Sequence, residues 1–111
     1  MTKLEQFEAT KPTRFRFIMR LSVEKTAMPN GDLSCDVELL VSEDLAKNTN
    51  LKIRFKGCTE LQVGDLNPTI AASFKIYDIS AHGLEMIRYR AVDEEGEYLA
   101  LNCHDFEFDI N

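Results

Sequence analysis

Few residues in this chain are of a type that does chemistry. They are two histidines (His82 and His104), three cysteines (Cys35, Cys58 and Cys103) and a run of carboxylates near the C-terminus. Cys103 and His104 are adjacent, a pairing that can ligate zinc or couple a thiol nucleophile to its base. Zinc, however, wants four ligands, usually including a close pair such as C-x₂-C, and the sequence holds no such pair. Cys103 also shares parity with Leu99 and Leu101 and is expected to be a small buried hydrophobe. Cys35 lies on an apolar strand face, Cys58 follows Gly57 at a strand end, and His82 before Gly83 reads as a solvated turn residue. There is no glycine-rich phosphate loop, nucleophile elbow or helical histidine pair. The expectation is a non-enzyme with no catalytic residues, no metal and no cofactor.

The carboxylates are the more informative feature. Residues 91–111 contain Asp93, Glu94, Glu95, Glu97, Asp105, Glu107 and Asp109 and no lysine or arginine. They therefore carry −7, more than the −6 of the whole chain. Asp93 to Glu97 is too short for a calcium loop, which takes about twelve residues; with Gly96 it reads as a type I hairpin turn. Beyond it, Asp105, Glu107 and Asp109 alternate with Phe106, Phe108 and Ile110, so they line the outer face of a strand. Two readings stay open. The charges either guard an outer strand and face leftover lysines and arginines, or form a negative surface that docks on a basic protein. In the second reading Tyr98 is an aromatic anchor.

The rest of the composition bounds the answer. A length of 111 residues is one domain, residues 1–111. A sequence pI near 4.9 argues against a nucleic-acid partner, which demands a basic footprint. No apolar stretch approaches the ~20 residues of a membrane span, and MTKLEQFEAT has no secretory core. An odd number of cysteines without close spacing suits a reducing, cytoplasmic compartment.

The elements that must position these groups are strands, because the dominant period is two. In TRFRFIMRLSV, residues Phe15, Phe17, Met19, Leu21 and Val23 fall on one face. Met28-Pro29-Asn30-Gly31-Asp32 is a turn, and LSCDVELLV follows with Leu33, Cys35, Val37, Leu39 and Val41 inward. Ser42 caps a possible helical turn before LKIRFKG, the third strand. Short strands are expected at Leu61 to Val63, within SFKIYDIS, and in LEMIRYRAVD, which changes phase between Met86 and Ile87. EYLALNCHDFEFDI completes the chain, with a bulge near His104-Asp105 bringing Leu99, Leu101, Cys103, Phe106, Phe108 and Ile110 to the core side. Thr2 and Glu5 fit a capping box for one short N-terminal helix. The class is all-β, a single-domain antiparallel β-sandwich or one strongly curved sheet of seven or eight strands. As a meander, the first three strands present outer rows that read basic (Arg14, Arg16, Arg20), acidic (Asp36, Glu38) and basic (Lys52, Arg54, Lys56), a self-compensating surface.

From LKIRFKGCTEL through DLNPTI, FKIYDIS and LEMIRYRAVDEEGEYLAL to CHDFEF, the chain resembles small bacterial immunity proteins of contact-dependent and polymorphic toxin systems. The most specific stretches are Phe74 to Ser80, Tyr89 to Asp93, and Cys103-x-Asp105-Phe106-Glu107. The resemblance implies a cytoplasmic antidote that inhibits by stoichiometric binding, without turnover. It also implies a cognate toxin C-terminal domain as partner, often a nuclease. The toxin-binding candidates are then Asp93, Glu94, Glu95, Glu97, Tyr98, Asp105, Glu107 and Asp109. The rival reading is a small-ligand or catalytic β domain with Tyr77, Asp78, Tyr89 and His104 converging on a pocket.

Overall fold

The computed structural model describes residues 2–43, 49–64, 73–82, 87–93 and 99–110. The period-two alternation produces eight strands: β1 (Phe17–Ala27), β2 (Leu33–Ser42), β3 (Asn50–Lys56), β4 (Thr59–Val63), β5 (Phe74–Asp78), β6 (Tyr89–Asp93), β7 (Leu99–Cys103) and β8 (Asp105–Ile110). They form two four-stranded antiparallel sheets, with orders β1-β2-β3-β8 and β4-β7-β6-β5. The all-β expectation holds, and so does the meander of the first three strands.

A single helix, α1 (Lys3–Ala9), precedes them. Its start is the anticipated capping box: the Glu5 N–H donates to the Thr2 hydroxyl, and the Thr2 N–H donates to the Glu5 carboxylate, each at 3.1 Å. Seven residues are too few for a helix to persist alone; tertiary packing holds this one. Phe7 is fully buried and meets Phe106 and Phe108 edge-on, at centroid distances of 5.7 and 5.3 Å. The helix also touches β5, so it packs against edge strands of both sheets.

One ribbon joins the sheets. Leu51 to Lys56 lie opposite Ile110 to Asp105, and Thr59 continues opposite Asn102, so β3–β4 and β7–β8 run antiparallel through both sheets. The bend falls at Gly57 and His104. Gly57 has φ +63, and a Cβ there would stand 3.2 Å from the His104 Cβ. Glycine supplies both the left-handed backbone and the close approach. Side chains from α1 and both sheets then meet in one core that includes Phe7, Phe15, Phe55, Phe106, Leu39 and Leu101.

Several inward assignments need correction. A bulge between Ile18 and Arg20 shifts the register of β1, so Ile18 and Leu21 pack on the core while Phe17 does not and Met19 is exposed. Phe15 is buried, but it lies after a 3-10 turn at Pro12–Arg14, ahead of the strand. Val23 and Leu33 keep core parity opposite Val37 and Ala27, yet they are 46% and 67% exposed: Val23 lies on the edge strand, and Leu33 lies beyond Val37, where the pairing with β3 ends. Near His104 the chain leaves one sheet for the other instead of bulging within a single strand. Phe106 is therefore buried, Phe108 only partly so, and Ile110 is exposed. The turn after Ser42, the phase change at Met86 and the Asp93-to-Gly96 turn fall on or run into residues outside those described.

Candidate functional site

The acidic strand β8 is the edge of its sheet, and its alternation turns Asp105, Glu107 and Asp109 outward beside β3. Their register partners are Lys56, Arg54 and Lys52. The outer face is thus striped by charge: acidic on β2, basic on β3, acidic on β8. Lys56 Nζ lies 2.7 Å from Glu107, and Arg54 lies 3.2 Å from Asp36 and 3.5 Å from Glu38. Arg20 reaches Glu38 from the far edge at 2.7 Å.

Asp105 is met from the helix. Lys3 Nζ donates to its carboxylate at 2.6 Å, and the Phe106 N–H donates to the same oxygen at 2.9 Å. Partial burial pushes this acid upward, but the Lys3 and Phe106 hydrogen bonds and the Lys3 charge outweigh burial and hold it below the usual carboxylate range. Glu107 is also lowered, first by its hydrogen bond to Lys56 and then by that lysine's charge. Both acids stay ionised at neutral pH. They serve as fixed negative charges, not as proton donors.

The candidate residues therefore divide. Asp105, Glu107 and Asp109 share one exposed face. Asp93 is separated from them: it is 1% exposed on the inner side of β6, where it accepts the Ser73 N–H at 3.0 Å, so its carboxylate is not offered to a partner. Glu94, Glu95, Glu97 and Tyr98 lie outside the described residues. The residues of the rival pocket do not converge. Tyr89 is buried edge-on against Phe106, at 4.9 Å between centroids, while Tyr77 faces the opposite side of its sheet. His104 is exposed at the bend, and Asp78 is held by Ser80 at the end of β5.

Two features escaped the sequence reading. Arg90 donates to Asn102 at 3.1 Å, and Asn102 donates to Glu60 at 3.0 Å, forming a polar chain across the second sheet. Glu60 has φ +53 beside a register shift in β4, an unusual conformation for a residue with a Cβ. Asn102 interrupting an apolar run was the available signal. The other feature is the solvent-facing apolar group on the β1–β2 hairpin.

The three cysteines are free; burial pushes the Cys58 and Cys103 thiols up to about 12. Among the described residues no cluster of three or more His, Cys, Asp or Glu is placed to hold a metal ion, and no helix is long and apolar enough to cross a membrane. No curated protein and no solved structure matches the chain. A family model does, described as Immunity protein PIM8, and it matches residues 1–109, so the match also spans the strands ahead of LKIRFKG. This chain belongs to the PIM8 family of immunity proteins.

Proposed function

We propose that the protein neutralises a cognate toxin domain in the cytoplasm by stoichiometric binding, without turnover. The observation that carries this reading is the family match over residues 1–109. The −7 of residues 91–111 supports a toxin with a basic substrate cleft, as a nuclease has. Of that charge, Glu94, Glu95, Glu97 and Asp109 are the part that accelerates encounter, with Tyr98 as an anchor. Asp105 and Glu107 contribute less, because Lys3 and Lys56 already neutralise them.

The test pairs this chain with the toxin domain encoded by its neighbouring gene. Induced alone, that domain should arrest growth; with this chain it should not, and the two should purify as an equimolar complex. Absence of both protection and complex would refute the proposal. Stopped-flow mixing then examines the charges. Association should slow as salt rises, since screening shortens to about 8 Å at physiological ionic strength. Neutralising Glu94, Glu95, Glu97 and Asp109 together should flatten that dependence and alter dissociation little. Equal salt slopes would remove the acidic residues from the interface.

A further inference from the structure

The outer face of the β4-β7-β6-β5 sheet is built differently from that of the other sheet. Buried and outward residues alternate along β5 and β6 and at the start of β7. The register sets the outward ones in two rows across the strands. One row is Tyr77, Arg90 and Asn102, ending at Thr59; the other is Lys75, Val92 and Ala100, ending at Gln62. Lys75 and Tyr77 are exposed, and Arg90, Val92 and Ala100 are half-buried, so solvent reaches both rows.

The first row is locked by the polar chain that runs from Arg90 through Asn102 to Glu60. Between Thr59 and Gln62, Glu60 and Leu61 both stand against Leu101, which makes a bulge in β4. Strict alternation from Thr59 would send Glu60 inward. The bulge, with Glu60 at φ +53, instead brings its carboxylate to the Asn102 amide, which donates to it at 3.0 Å. Asn102 is 6% exposed, and its side-chain oxygen accepts from Arg90 at 3.1 Å. A strained backbone persists only where its surroundings over-determine it. Here the strain fixes Asn102, and Asn102 fixes the guanidinium of Arg90.

Beside that chain, Lys75 Nζ lies 5.1 Å from the centroid of the Tyr77 ring, which is 39% exposed. Val92 and Ala100 give the face a flat apolar centre on its two middle strands. An arginine and a tyrosine around an apolar centre match the make-up of an interface core. The outer face of the other sheet does not. There Arg20 and Arg54 pair with Glu38, and Lys56 pairs with Glu107, and covering such pairs costs desolvation of both charges.

We infer that the toxin's short-range contact is this outer face, centred on Val92 and Ala100, with Tyr77 and Arg90 as anchors. The occupant follows from continuity. Residues 94–98 join β6 to β7, the strands that carry Val92 and Ala100, and they contain Glu94, Glu95, Glu97 and Tyr98. A toxin drawn to those acids arrives at the end of this sheet, and the face is the adjoining surface. Asp109, on the other sheet, acts on encounter alone. The toxin surface that fits is apolar over Val92 and Ala100, carries a carboxylate toward Lys75 and Arg90, and keeps its bases at the Glu94 end. Two copies of this chain, each at −6, repel. The inference rests on the toxin-binding reading above and supplies the contacts that hold the complex after encounter.

Ala100→Tyr tests it. Aromatic residues suit strands, and a ring at the flat centre props a partner away from the face without changing the charge. The probe is the neighbouring-gene toxin domain, obtained by denaturing a co-purified complex and refolding the toxin. Ala100→Tyr should weaken binding at least about tenfold, through faster dissociation, with association and its salt slope little altered. Ser22→Tyr puts the same ring on the outer face of the other sheet and should stay within about threefold of the wild type. An equal loss for Ser22→Tyr, or unchanged affinity for Ala100→Tyr with a wild-type circular dichroism spectrum, would overturn the inference while leaving toxin binding intact. Should Ala100→Tyr fail to fold, Tyr77→Ala decides: an affinity loss of about tenfold supports docking here, and an unchanged affinity refutes it. A wild-type chain that does not bind the toxin refutes both readings. A wild-type dimer that Ala100→Tyr converts to monomer, with toxin affinity unaltered, assigns the face to a second copy instead.

Discussion

The two edges of the β1-β2-β3-β8 sheet are treated in opposite ways. At β8 the helix packs against the strand, placing Phe7 edge-on against Phe106 and Phe108 and Lys3 against Asp105. At β1 the described residues supply no cover, and Val23, Met28 and Leu33 face solvent. β8 alternates acids with apolar residues, whereas the inward row of β1 carries Lys25 between Val23 and Ala27. What separates them is whether another element reaches the inner face. One edge builds the core, and the other stays exposed among the described residues.

The contrast should be sharpest in stability. Phe106 is fully buried and touches Phe7, Tyr89 and Phe108, so Phe106→Ala should cost about 3–5 kcal/mol in urea unfolding. That threatens a domain of ordinary stability. Phe108→Ala should cost less, roughly 1–3 kcal/mol, because its ring is only partly covered. A larger loss at Phe108 than at Phe106 would mean that the helix packs differently from the arrangement described.

Thiol labelling compares the same regions by rate. Cys35 lies on the projecting hairpin, whereas Cys58 and Cys103 are buried near the bend with thiols held up to about 12. At pH 8 iodoacetamide should modify Cys35 first, and the other two at least about a hundredfold more slowly until denaturant is added. Equal rates for all three would contradict the closed bend.

The Lys3–Asp105 pair gives a smaller effect with a defined pH dependence. The folded-state pKa of Asp105 lies below its ordinary value, so its stabilisation is present above about pH 4 and is lost as pH falls through the folded value. Both side chains are 38% exposed, which limits the pair to about 1 kcal/mol or less. Wild type should exceed Lys3→Met by that amount at pH 7, and the difference should shrink as acid protonates Asp105. A difference that persists in acid would belong to the lysine's apolar stem over Phe106, not to its charge.

The smallest effect is expected at the open edge. Leu33→Ala should change stability by under about 0.5 kcal/mol, since the side chain is two-thirds exposed. A cost above 2 kcal/mol would show that the hairpin tip is packed, and the open edge would lose its basis.

Alternation specified the all-β class, the β1–β2–β3 meander and the outward placement of Asp105, Glu107 and Asp109, and the Thr2–Glu5 spacing specified the capping box, because side-chain parity and helix capping are local properties. The immunity-protein resemblance was also legible, although only from the second half of the chain. Burial was not, because it depends on what stands across from a face. Val23 and Leu33 have core parity and still meet solvent, since Val23 is on the edge strand and Leu33 lies past the end of the β2–β3 pairing. Asp93 looked like a turn carboxylate and is buried at the end of β6, opposite Phe74 of β5. Met19 shifted the register of β1 through a bulge that the residue types do not announce. The acidic strand looked uncompensated in sequence, but the bases that meet it lie about fifty and a hundred residues away, at Lys56 and Lys3. Only the folded pairing brings charges so distant in the chain within 3 Å of each other.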